Sequence, residues 1–259
     1  MKSSGWKKDR VIYWKDELND DFDEVGLKRP PVPKNYCYKR KHPILYWFVY
    51  YFIAKPIMGT YCLFHGIRVK GKENLKKVKK KGYFLYSNHV AISDVFKFQS
   101  HIIHHKRVNI IGYSDAMTLK WIRGLERGLG YLPIPNDIDN LVKMKEAIKC
   151  LIDHKEVVLI YPEAHIWPYY THIRNFKDVS FSYPAELNAP VLPAVTIWRG
   201  KEGKKPKQTV IFGEPIYPNP ELTPLENKKY LHEECLLRMK EIAEKYKQVE
   251  YIKYIKKED

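Results

Sequence analysis

A chain of 259 residues is long enough for one sizeable core, and one large domain with appendages suits it better than two equal ones. Hydrophobic residues at 44% and aromatics at 14% exclude a largely disordered protein. A net charge of +16 implies an anionic partner, whether nucleic acid, a membrane surface or an acidic cofactor, and the excess of lysine over arginine suits diffuse attraction to anionic lipid.

In chain order, residues 1–43 read as a charged extension. Asp16, Glu17, Asp20, Asp21, Asp23 and Glu24 form an acidic cluster, and the prolines at 30, 31 and 33 prevent a continuous helix after it. Lys39, Arg40 and Lys41 then precede an apolar segment, residues 44–68, interrupted by Lys55-Pro56. Its first uninterrupted run is about half of the ~20 apolar residues that a membrane-spanning helix needs. Its Tyr and Trp content is interfacial, and positive charge flanks both ends. A bent pair of short helices lying in one leaflet is the favoured reading, with a spanning helix and a core helix of a soluble domain as alternatives. The amino terminus has no apolar core of a secretory signal, and Cys37, Cys62, Cys150 and Cys235 form no Cys-x-x-Cys pair. The expected location is therefore the cytoplasmic face of a membrane, in a reducing compartment.

Residues 69–259 alternate between strand and helix patterns. Apolar or β-branched runs at 83–86, 108–113, 131–134, 157–161, 191–198 and 209–212 predict strands. Leu141, Met144, Ala147, Ile148, Leu151 and Ile152 share one helical face. A second helix is predicted from Thr223-Pro224-Leu225-Glu226, a capping box with proline at its first helical position. The expected class is α/β, with a mixed, partly parallel sheet flanked by helices and the apolar helical segment in front.

Two strand ends carry candidate chemistry. The run at 83–86 leads into Asn88-His89, and Asp94 follows five residues after the histidine. In α/β sheets functional groups gather beyond the carboxyl ends of strands, and a carboxylate in the following helical turn fixes the tautomer of such a ring. The plainer role for Asp94 is helix capping. The run at 157–161 ends in Pro162-Glu163, where the glutamate would either bind substrate or pair with a lysine. A third strand, at Ala189-Pro190-Val191-Leu192-Pro193, is expected to be covered on both faces.

Asn-His-x-x-x-x-Asp, then aromatic-Pro-Glu, then Ala-Pro-Val-Leu-Pro, in that order, resembles the glycerolipid acyltransferases, which include the bacterial lysophosphatidic acid acyltransferases. The resemblance spans roughly residues 44 to 215. It implies transfer of a fatty acyl group from a thioester, acyl-CoA or acyl carrier protein, to a hydroxyl of a lysophospholipid or related glycerolipid. His89 would be the general base and Asp94 its partner, with no bound cofactor and no metal. The implied partners are the lysolipid, the thioester and an anionic membrane surface, and no nucleic acid.

The chain departs from that family's acceptor motifs. Gly130-Tyr131-Leu132-Pro133-Ile134-Pro135-Asn136 has no arginine where the family grips the acceptor phosphate, and Ala164-His165-Ile166 replaces Gly-Thr-Arg after Glu163. Arg174, Lys177 and His165 are the candidate replacements, joined on the substrate side by Asn88 and Glu163. Trp167, Tyr169 and Tyr170 are expected around an acyl chain, at the bilayer interface or in the core. The alternative to catalysis is a lipid-binding relative that docks on anionic membranes. An esterase is disfavoured by the lack of a Gly-x-Ser-x-Gly elbow.

Overall fold

The computed structural model describes residues 10–23, 29–40, 42–118 and 125–257. Glu24 of the acidic cluster, Lys41 and the amino-terminal residues 1–9 lie outside it. The body is a seven-stranded sheet of β2 (Arg68–Lys70), β3 (Tyr83–Ser87), β4 (Val108–Gly112), β5 (Tyr131–Pro133), β6 (Val157–Ile160), β7 (Val191–Arg199) and β8 (Lys207–Phe212). The spatial order is β2-β8-β7-β3-β6-β4-β5. Every neighbouring pair is parallel except β7 with β8, which are joined as an antiparallel hairpin. The mixed, partly parallel α/β class expected from the sequence is what forms.

All six predicted strands are present: the central β3, β6 and β7 are buried on both faces almost throughout, as a sheet covered by helices requires, and β4, β5 and β8 are buried over most of their length. Three others were missed. β2 has only three residues, while β1 (Arg10–Trp14) and β9 (Ile252–Lys256) pair with each other in a separate two-stranded parallel sheet. β1 does carry an apolar run, Val11-Ile12-Tyr13-Trp14, inside the residues read as a charged extension, whereas β9 is interrupted by lysines and is fixed as a strand by its pairing with β1.

Both predicted helices form. The helix Ile138–Asp153, here α4, is capped by the Asp137 side chain and buries Met144, Ala147, Ile148 and Leu151 against the sheet. The helix Pro224–Lys245, here α6, starts with the Thr223–Glu226 capping box and buries Leu231, Cys235, Met239 and Ala243. Two shorter helices, α3 (Lys72–Val78) and α5 (Ser182–Glu186), complete the cover.

The apolar segment is helical from α1 (Pro43–Phe48) through a π-helical turn, Val49–Ala54, into α2 (Lys55–Phe64). The wider turn comes just before Lys55-Pro56, where the proline ring removes a donor from the ladder. Among the described residues no helix is long and apolar enough to cross a membrane. The inner side of this segment is anchored. Tyr50 accepts a hydrogen bond from the Val108 amide at 3.2 Å, and Gly59 lies so near the Ser100 carbonyl that a Cβ would stand 3.1 Å away. Its outer side leaves Ile44, Trp47, Phe48, Phe52, Ile57, Leu63 and Phe64 exposed.

Candidate active site

Strand β3 lies between β6 and β7, so its carboxyl end opens at the middle of the sheet. Asn88 ends the strand. Its side chain accepts from the Thr196 amide at 2.8 Å and donates to the Thr196 carbonyl at 3.0 Å. The amide thus replaces one backbone rung to β7, and the main chain is free to turn away. His89 follows at that turn, and the 3-10 turn Ile92–Val95 carries Asp94 back beneath it.

His89 Nδ1 and Asp94 Oδ2 are 3.0 Å apart. The same oxygen accepts the Val90 and Ala91 amides at 2.8 and 2.9 Å. Asp94 therefore caps its turn and holds the imidazole at once, so the two roles read from the sequence are not alternatives. The ring stacks on Tyr161, with centroids 4.6 Å apart, and Tyr161 donates its hydroxyl to the Asp94 carbonyl at 2.7 Å. Burial pushes the Tyr161 phenol far above its ordinary range, which keeps it a donor. Nδ1 is occupied and Nε2 is the remaining ring nitrogen of a side chain that is 18% exposed.

Asp94 is fully buried. Burial alone would favour the neutral acid, but Lys97 and His89 outweigh it and hold the carboxyl below its ordinary value of 3.8. Lys97 was not singled out in the sequence. Its ammonium binds Asp94 Oδ1 from within the core, with no side-chain exposure. The available signal was its spacing: a lysine at i+3 from Asp94, set among Val95, Phe96 and Phe98, shares a helical face with the acid.

The second strand end builds the floor. Glu163 accepts the His89 amide at 3.1 Å through Oε2 and the Arg174 amide at 3.1 Å through Oε1. Arg174 returns a side-chain contact to Oε2 at 3.2 Å, and both side chains are completely buried. Its guanidinium also binds the His165 carbonyl, lies over the Trp167 ring at 4.7 Å and reaches the Glu17 carbonyl at 3.3 Å. The glutamate's partner is thus an arginine of its own loop and not one of the lysines. His165 pairs with Asp21 at 3.1 Å and stacks on Tyr113. Lys177 is exposed at the surface.

The amino-terminal segment crosses this loop. Trp167 donates its indole N–H to the Asp20 carbonyl at 2.8 Å, Asn175 donates to Glu17 at 3.0 Å, and Arg29 pairs with Asp21 at 2.6 Å. Further on, the Val32 amide donates to Asn136 at 2.8 Å. Trp167 and Tyr170 pack in an aromatic cluster with Trp14, Phe22 and Tyr254, and Tyr169 packs on Trp198 and Tyr251. Core packing therefore accounts for those three aromatics. No group of three or more metal-ligating side chains occurs among the described residues.

A family model described as Acyltransferase matches residues 66–197, from just before β2 to near the end of β7, and so includes His89, Asp94, Glu163 and Arg174. The chain belongs to the acyltransferase family. This agrees with the order of its three motifs. Among solved structures, this acyltransferase is similar to the 1-acyl-sn-glycerophosphate (LPA) acyltransferase PlsC from Thermotoga maritima. Identity is 16% and the TM-score 0.52, covering 80% of this chain and 98% of that one, so what the two share is the fold. No curated protein matches the chain.

Proposed function

We propose that this acyltransferase works at a membrane surface and moves a fatty acyl group from a thioester, acyl-CoA or acyl carrier protein, to a hydroxyl of a lysophospholipid or related glycerolipid. The observation that carries the reading is the 3.0 Å contact between His89 Nδ1 and a buried, ionised Asp94, which leaves Nε2 as the base. Nε2 takes the acceptor's hydroxyl proton as the oxygen attacks the thioester carbonyl. The tetrahedral adduct then expels the sulfur, and the imidazolium returns its proton to the leaving thiolate. Asp94 stabilises the imidazolium between those two transfers.

Glu163 and Asn88 act from beneath, by holding the two ends of the His89 turn. Arg174 acts through Glu163. His165 and Lys177 face the acceptor, and the Asp21 carboxylate beside His165 favours a headgroup that presents hydroxyls over one that presents a phosphate monoester. The PlsC structure, whose own acceptor is 1-acyl-sn-glycerophosphate, supports the lysolipid class of the acceptor. Docking rests on the exposed apolar side of α1 and α2, with the lysine-rich surface attracted to anionic lipid on the cytoplasmic side.

The test is mass spectrometry of products after the purified protein meets acyl-CoA or acyl carrier protein together with a panel of lysolipids. A new ester that disappears with His89→Ala supports the reading. Binding of lysolipid without product from any thioester supports a non-catalytic, lipid-binding relative instead.

A further inference from the structure

Lys97 is a charge in the core that the proposed chemistry does not use. Burying an ammonium is unfavourable unless every donor is paired. Here Nζ donates to Asp94 Oδ1, to Thr196 Oγ1 of β7 at 2.6 Å and to Gln208 Oε1 of β8 at 3.4 Å. Three acceptors around one nitrogen suit a charged ammonium, which has three donors and no lone pair. Gln208 is itself tied to the turn, since its amide donates to Ser93 Oγ at 2.9 Å. Asp94 is therefore divided, with Oδ2 serving His89 and its turn and Oδ1 serving Lys97.

The surrounding groups leave that arrangement uncompensated. Cys62 on α2 faces the ammonium, and burial holds its thiol above the ordinary value and neutral. Tyr161 stays a phenol beneath the ring. Glu163, under the His89 backbone, is paired with Arg174.

We propose that Lys97 is a positioning residue that sets the proton affinity of His89 through the carboxylate they share. An Asp94 anion without Lys97 would draw a proton onto the His89–Asp94 pair, and the pair would titrate at higher pH as a unit. An imidazolium cannot serve as base. The inference rests on the reading of His89 as the base, but its first readout does not need activity.

The test is an NMR titration of the His89 ring in the full chain, with the signal assigned by its loss in His89→Gln. Lys97→Met should raise the His89 titration by about one pH unit or more. The acid limb of kcat/KM for acyl transfer should move with it. Gln208→Glu, at a partly exposed position, adds a carboxylate beside the ammonium and should shift His89 upward by a smaller amount. An unmoved His89 titration in Gln208→Glu and in folded Lys97→Met overturns the proposal, and Gln208→Glu decides if Lys97→Met does not fold. A shifted ring in a protein that transfers no acyl group supports control by Lys97 and removes the acyltransferase reading. An active protein with an unmoved ring removes only the role of Lys97.

Discussion

Glu163 meets His89 through its backbone and not its ring: Oε2 accepts the His89 amide at 3.1 Å while Arg174 holds the same carboxylate from the other side. The ends of β3 and β6 are thereby locked together directly below the candidate base. Glu163→Ala should leave the Arg174 guanidinium buried without its counter-charge, at a cost of about 3–5 kcal/mol in unfolding free energy. Urea denaturation measures it, and a loss under 1 kcal/mol would show that Arg174 does not depend on the pair.

The base assignment predicts that His89→Ala lowers kcat by about two to four orders of magnitude while thermal stability is largely kept. The ring is partly exposed and its removal strands no buried charge except one contact to Asp94. Asp94→Ala should lose activity and stability together, because it abandons Lys97 in the core. Circular dichroism melts run beside the acyl-transfer assay separate the two patterns.

Acid should weaken the fold in a defined window. Burial raises Asp94, Asp21 and Glu156, but Lys97 and His89, His165 and Arg29, and Arg40 respectively outweigh it, so all three titrate below their ordinary values of 3.8, 3.8 and 4.5. A folded value below the unfolded one means that the unfolded chain binds protons first as pH falls. The stabilisation is complete above about pH 5 and is lost as pH falls from about 4.5 through the lower folded values. A urea midpoint that stays level between about pH 4.5 and 2 contradicts this.

Ala164 occupies the left-handed region at φ 62°, in the loop position where the related motif has glycine. A Cβ there carries a steric cost that glycine avoids, against a larger loss of chain entropy. Ala164→Gly should stabilise the fold by about 0.5–1 kcal/mol. Destabilisation on denaturant titration would mean that the loop, and not the residue, sets that conformation at no cost.

The exposed side of α1 and α2 predicts retention on vesicles. Phe48→Ser with Phe52→Ser removes a stacked aromatic pair, centroids 5.3 Å apart, from the solvent face without touching Tyr50 or Cys62 inside. Co-sedimentation with phosphatidylglycerol vesicles should fall at least several-fold. Unchanged sedimentation would place the docking surface elsewhere.

Local signals made much of the fold legible. Six strands, two helices and the capping box follow from short-range chemistry: short apolar runs, a single helical face, and a Thr-Pro-x-Glu start. The His89–Asp94 contact was equally local, since five residues form one tight turn. The Val11-Ile12-Tyr13-Trp14 run is a local strand signal, but the pairing of β1 with β9 was not legible because it joins residues more than 230 positions apart. Trp167 and Tyr170, open in the sequence to several roles, resolve into core only once Trp14 and Tyr254 arrive from the two ends of the chain.

By itself the sequence determined the α/β order and the candidate base at the end of β3, because each depends on residues a few positions apart, while the order of three motifs along the chain supplied the reaction type to test. Tertiary structure alone decided what surrounds that base. Lys97 becomes a partner of Asp94 because β7 and β8 bring Thr196 and Gln208 to enclose it. Arg174 becomes a buried counter-ion and not a free cation, since the loop returns it to Glu163 and the amino-terminal segment covers it. Charge does not announce its partner in a linear chain. Burial selects the partner, because an ion removed from water is stable only where the fold supplies its complement.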